Sequence, residues 1–172
     1  MINDKNHNYN DKRHQKKQMF CVFWTAKGPI HWELLDRGQT VTSEIYCNQL
    51  EQVNVKYDLW RQLGRFNGPL VFQQDNAPPH RSQTTNNFIN HRLRWDVIPA
   101  YSPDLAPSDY HLFLSLKNFL RDRRFDNQDQ VKAALEAYFA TKIGTDFYER
   151  GIRKLPFRWQ YTINSHGNYF LE

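Results

Sequence analysis

Apolar residues are spread unevenly along the chain, and the first eighteen positions hold almost none. Residues 1–18 (MINDKNHNYNDKRHQKKQ) contain only Met1, Ile2 and Tyr9 as apolar or aromatic members, too few to offset the entropy of ordering them, which predicts a disordered polar tail. A continuous apolar run of strand length follows at 19–26 (MFCVFWTA), then a Lys27-Gly28-Pro29 turn and a second run at 30–35 (IHWELL). This reads as a hairpin whose first strand is buried on both faces. Thr42 or Ser43 can cap a long helix in which Ile45, Tyr46, Leu50, Val53, Leu59, Trp60 and Leu63 recur at roughly helical spacing, with Gly64 and Gly68 punctuating its exit. Residues 69–74 (PLVFQQ) form a short strand ending at Asp75. Pro78-Pro79 then breaks the chain before a helix at 82–91, and 95–99 (WDVIP) make another short strand. The proline-rich loop YSPDLAPSD leads into a helix at 108–120 capped by Ser108, and two more helices are expected at 127–140 and 146–159. An order of two strands, then helix, strand, helix, strand and three helices signals an α/β sheet with some parallel pairing. No internal repeat is evident.

Composition narrows the picture without naming a function. With 172 residues, 40% hydrophobic and 15% aromatic, the chain can bury one sizeable core, so one domain over 19–172 behind the 1–18 tail is expected. No stretch approaches the roughly 18 apolar residues of a membrane span, and the opening twenty are too polar for a secretory signal; a soluble intracellular protein is expected, with no membrane partner. Cys21 and Cys47 lack a CxxC neighbour, which excludes a disulfide framework and a four-cysteine zinc site by count; they read as reduced thiols, a single bridge remaining open. The 23 Lys and Arg exceed the 18 Asp and Glu, giving a net charge of +5 and a pI near 9.2, which favours polyanionic partners. Lys12, Arg13, Lys16 and Lys17 cluster in the tail, as a phosphate contact, a nuclear import signal or simply a solvated segment.

Two carboxylates stand where metal chemistry would want them. Asp75 closes a buried strand and Asp109 opens a helix just after the next one, and in open α/β sheets adjacent strand ends share one crevice despite the thirty-three intervening residues. Magnesium prefers such oxygen ligands, and paired ions can activate an attacking oxygen and stabilise a leaving one at a phosphodiester. The plain alternatives are a dipole-compensating carboxylate in a first helical turn for Asp109 and an Asx-type turn for Asp75. His80 and His111 flank the pair, but no HxxxH or Cys/His spacing supports zinc. Lys117, Arg121, Arg123 and Arg124 fall on and beyond the helix that starts near Asp109, and read either as a phosphate track or as a solvated helix end. Trp24, Trp32, Trp60, Phe72 and Trp159 have core spacing rather than that of base-stacking residues. A serine hydrolase is set aside because no GxSxG elbow occurs.

The segments QQDNAPPH (73–80) and YSPDLAPSDYHLF (101–113) resemble the two most recognisable signatures of mariner-type DNA transposases, in the same order. FWTAKGPIHWELL, RFDNQDQVKAAL and FYERGIRKLPFRWQYTINSHGNYF resemble other stretches of the same family, so the likeness covers nearly everything from Met19 onward. It implies a ribonuclease-H-like fold in which three carboxylates hold two divalent metals, magnesium or manganese, for cutting and rejoining DNA ends. Asp75 matches the second carboxylate and Asp109 the third, and both are the expected catalytic and metal-binding residues. DNA, a possible homodimer and a nuclear location follow from the same likeness. Three departures stand out. The segment with the family's first catalytic Asp would lie upstream of Met19, and Asp4 and Asp11 are poor substitutes. The family's helix-turn-helix region has no counterpart, and the interval between Asp75 and Asp109 is one residue short, a deletion placed between Arg94 and Tyr101. The expectation is therefore a truncated catalytic domain over 19–172, an α/β ribonuclease-H-like fold lacking its first strand, with impaired strand transfer because fewer ligand charges offset the repulsion between metals. A nonenzymatic module binding nucleic acid or protein, or a degenerate fragment with exposed strand edges, are the competing readings.

Overall fold

The apolar run that opens the hairpin does form a strand. In the computed structural model, which describes residues 18–98 and 103–165, β1 (Phe20–Thr25) pairs antiparallel with β2 (Gly28–Leu34), Val22 opposite Trp32, with a bulge between Phe23 and Trp24. Gly28 makes the turn possible: its φ is +124°, a region that side chains rarely adopt. The expectations for the tail, the Lys12 to Lys17 cluster and the loop at 99–102 lie outside the described residues.

Helix α1 (Ser43–Gln62) starts where the capping signal put it, with Thr42 rather than Ser43 as the cap: the Ile45 amide donates to Thr42 Oγ1 at 3.2 Å. Its buried face is set by Tyr46, Leu50, Val53 and Tyr57. Leu59 and Leu63, read from sequence as part of that face, are instead 51% and 63% exposed. The reason is angular: at about 100° per residue, Leu59 points about 200° round the helix from Tyr57.

Strand β3 (Val71–Gln73) runs parallel to β4 (Asp96–Ile98), Phe72 opposite Val97, so the parallel pairing is present, in strands shorter than the apolar runs suggested. The single expected sheet is two separate two-stranded sheets among the described residues. Between β3 and β4 lie α2 (Pro78–Arg81), α3 (Gln83–Asn87, capped by Ser82) and a wider π-helical turn at Phe88–Leu93. After a 3-10 turn at Pro103–Leu105, a second π turn at Ser108–Phe113 runs into α4 (Leu114–Leu120). Ser108 does not cap that helix; its hydroxyl instead accepts from Trp24 Nε1 at 3.0 Å, and no side chain caps the turn. Helices α5 (Gln128–Ala140) and α6 (Phe147–Asn164) complete the described chain, α6 running past Trp159 with Pro156 inside it.

Two apolar clusters sit on opposite sides of the β1–β2 hairpin. One joins Ile30, α1, Ile89 and Trp95, with Phe23 and Phe72 against it. The other joins Leu112 and Leu116 to α5 and the start of α6, with Phe20, Val22 and Trp24 against it. β1 is thus packed on both faces as its pattern implied, Phe23 one way and its neighbours the other. Every one of its residues is nevertheless only half-buried. Trp24, Trp32, Trp60 and Phe72 all pack against these clusters, whereas Trp159 is half-buried and belongs to neither. Cys21 and Cys47 are both free thiols. No helix among the described residues is long and apolar enough to cross a membrane.

Candidate functional site

Because β3 and β4 are parallel, their C-terminal ends point the same way, and the chain leaving each carries one of the two carboxylates. Asp75 follows β3 by two residues. Its Oδ1 accepts the Ala77 amide at 2.9 Å, an Asx-type turn as its sequence allowed, and also faces His80 Nδ1 at 2.5 Å. The His80 hydrogen bond holds the Asp75 carboxyl below the usual carboxylate range, helped by the Ala77 amide and opposed by partial burial. His80 is itself fixed: its ring stacks on Tyr46 of α1 with centroids 3.9 Å apart, the Tyr46 hydroxyl donates to Gln74 Oε1 at 2.9 Å, and Gln74 Nε2 donates to the His80 carbonyl at 3.1 Å. A closed loop of contacts therefore ties Asp75 to the long helix.

Asp109 lies in the first turn of the π segment, its amide donating to the Ala106 carbonyl at 2.9 Å. The residue as a whole is exposed, yet its carboxyl is partly shielded from water. That shielding, followed by the negative charge of Asp75, pushes its pKa above the ordinary value. The negative charge of Asp75 thus adds to the upward pressure on the Asp109 carboxyl. Gln73 Nε2 donates to the Leu105 carbonyl at 2.9 Å, stitching the β3 exit to the turn that precedes Asp109.

Neighbours on both sides fix the Asp109 turn. Ser108 is held by Trp24, as described. Tyr110 donates its hydroxyl to the Gly151 carbonyl at 2.8 Å, and His111 Nε2 meets the Phe147 carbonyl at 2.8 Å. His111 is accordingly a packing residue against α6, its ring pressed on Gly151. His80, discounted as a zinc ligand, does belong to the site, and its five-residue separation from Asp75 inside one motif was the available signal. Among the described residues no group of three or more His, Cys, Asp or Glu side chains gathers as a ready-made metal cage. The pair itself offers hard oxygen donors and an unbalanced negative charge, which suits a cation such as magnesium or manganese.

The four basic residues singled out from sequence are all exposed: Lys117 on α4, and Arg121, Arg123 and Arg124 beyond its end. Two are already engaged locally, Arg121 Nη2 with Asn118 Oδ1 at 2.6 Å and Arg123 with its guanidinium 4.0 Å from the centre of the Phe119 ring.

Residues 3–63 match the family described as Transposase (partial DDE domain). The chain is 43% identical over 162 residues to the Mariner Mos1 transposase of Drosophila mauritiana, a span of 91% of this chain and 46% of that protein. It is 40% identical over 160 residues to the histone-lysine N-methyltransferase SETMAR of Homo sapiens, of which it covers 23%. The chain thus spans less than half the length of these two relatives. It superposes on the crystal structure of the catalytic domain of Mos1 mariner transposase with a TM-score of 0.83 at 43% identity, covering 91% of this chain and 78% of that one. On the Mos1 mariner paired end complex with Mn the TM-score is 0.85 at 41% identity, covering 98% of this chain and 49% of that one. The shared architecture is ribonuclease-H-like, and with this identity across more than three-quarters of the Mos1 catalytic domain, the chain belongs to the mariner-type transposases as a catalytic-domain member.

Proposed function

We propose that this chain carries the carboxylate centre of a DNA-cutting and strand-transferring domain, with Asp75 and Asp109 as its catalytic, metal-holding residues. The observation that carries this reading is the parallel β3–β4 pair, whose β3 exit, two residues before Asp75, is bonded through Gln73 to the Leu105 carbonyl in the turn that precedes Asp109. Magnesium or manganese would bind between them and supply the positive charge that activates an attacking oxygen and stabilises a leaving one. His80 and the Ala77 amide hold Asp75 at a defined angle, and the tethers on Ser108, Tyr110 and His111 hold Asp109. Lys117, Arg121, Arg123 and Arg124 would track the phosphate backbone. Support for the metal, for DNA ends and for a paired, homodimeric form comes from the Mos1 catalytic domain structures with Mg and with Mn and from the Mos1 paired-end complex with left transposon end.

The test is nicking of supercoiled DNA by the purified chain in magnesium or manganese, with Asp75→Ala and Asp109→Ala run alongside. Nicking that both substitutions abolish is expected. Nicking that persists unchanged in both would overturn the assignment. A second reading, a nucleic-acid-binding module without cleavage, is favoured by the recurrence of this segment within a protein named for a methyltransferase; it requires DNA binding that survives loss of either carboxylate.

A further inference from the structure

Arg158 is an oddity of α6: an arginine only 4% exposed, on a helix whose other cations face water. A buried guanidinium is costly unless its hydrogen-bonding and charge are answered, so a side chain needed only to fill space here would be apolar. What Arg158 touches explains the choice. Its Nη1 donates to the Asp104 carbonyl at 3.1 Å, and its guanidinium carbon lies 4.0 Å from the centre of the Tyr110 ring. Tyr110 is gripped a second time by the same helix, through its hydroxyl on the Gly151 carbonyl. Gly151 and Arg158 are seven residues apart, two helical turns, and so present the same side of α6.

One side chain therefore clamps the chain both before and after Asp109. Asp104 lies five residues upstream, in the Pro103–Leu105 turn, and Tyr110 is the next residue downstream. The planar guanidinium suits both contacts at once, donating in its plane and stacking through its face, which an ammonium cannot do. We infer that Arg158 is a positioning residue for the metal centre, setting the direction of the Asp109 carboxylate by holding Asp104 and Tyr110 in fixed relation. This rests on the reading of Asp109 as a metal ligand, and adds that the helix farthest along the described chain controls it.

The experiment is a manganese titration of the intact chain, followed by electron paramagnetic resonance, for the wild type, Arg158→Met, Arg158→Lys, Asp109→Asn and the double variant Arg158→Met/Asp109→Asn. Groups that orient metal ligands commonly change affinity 10- to 100-fold when removed. Arg158→Met is expected to weaken manganese binding about tenfold, Arg158→Lys to recover part of that loss, and the double variant to bind no more weakly than Asp109→Asn alone. Wild-type affinity in Arg158→Met beside a weakened Asp109→Asn would overturn the inference, as would a double variant weaker than Asp109→Asn by the full Arg158 factor. If Asp109→Asn itself leaves affinity unchanged, the metal assignment falls, and this inference with it. Should Arg158→Met fail to fold, Tyr110→Leu removes the stacked face from the other side and carries the same expectations.

Discussion

Replacing Gly151 by alanine would push a methyl group into the His111 ring. A Cβ built on Gly151 lies 2.4 Å from His111 Cδ2 and 2.9 Å from its Cγ, whereas carbon atoms settle at about 3.5 Å or more. The ring or the helix must yield by about 1 Å. His111 has little room to do so, since its Nε2 meets the Phe147 carbonyl and its ring packs on Phe147 with centroids 4.2 Å apart. Overpacking of this kind costs about 1–3 kcal/mol, while alanine returns about 1 kcal/mol of helix propensity lost at glycine. The net expectation is a destabilisation of about 1 kcal/mol, and a melting temperature lower by about 2–4 °C for a chain of this size. Urea unfolding measures it, and a double-mutant cycle isolates the cause. In a His111→Ala background the obstacle is gone, so Gly151→Ala should stabilise by up to about 1 kcal/mol. Stabilisation of the wild type by the alanine, or an equal effect in both backgrounds, would refute the reasoning.

Asp109→Asn should make the folded chain more favourable relative to wild type as pH rises from the ordinary 3.8 through the raised Asp109 value, and no further above it. The Asp109 pKa is raised on folding, so the native state holds its proton more tightly than the unfolded chain, and wild-type stability drops as pH climbs from the ordinary 3.8 through the raised value. Because Asp109 is exposed, solvent screening keeps the gain small. Urea midpoints across that pH range read it, and a difference that shrinks with pH would contradict it. Thr42→Ala should cost about 1 kcal/mol through loss of the Ile45 amide bond at the start of α1; an unmoved urea midpoint would show that the cap carries no weight.

Features written within a short span of sequence proved readable. The Thr42 cap, the Gly28 turn and the Asp75 turn each depend on residues two to five apart, and each formed where the pattern put it. The parallel pairing of β3 and β4 was also legible, a rule of topology that needs no side-chain detail. What escaped was of two kinds. Leu59 and Leu63 were assigned inward because an apolar residue at loosely helical spacing looks the same whichever way it points. Arg158 and Gly151 were invisible because their partners lie 54 and 41 residues away, and nothing in a local window marks an arginine as buried. Ser108, in a cap-like position, was claimed instead by Trp24, a tertiary bond overriding a local preference.

The tethers on the Asp109 turn have a further consequence, for the order of events during folding. They span 84 residues from Trp24, 54 from Arg158, 41 from Gly151 and 36 from Phe147. Closing loops of that length is slow beside the winding of α1 or α5, which needs only neighbours. The carboxylate geometry is therefore a late product, complete only after the hairpin and α6 have both docked. A chain caught short of that point would hold its local turns and helical segments while the Asp109 turn stayed unanchored.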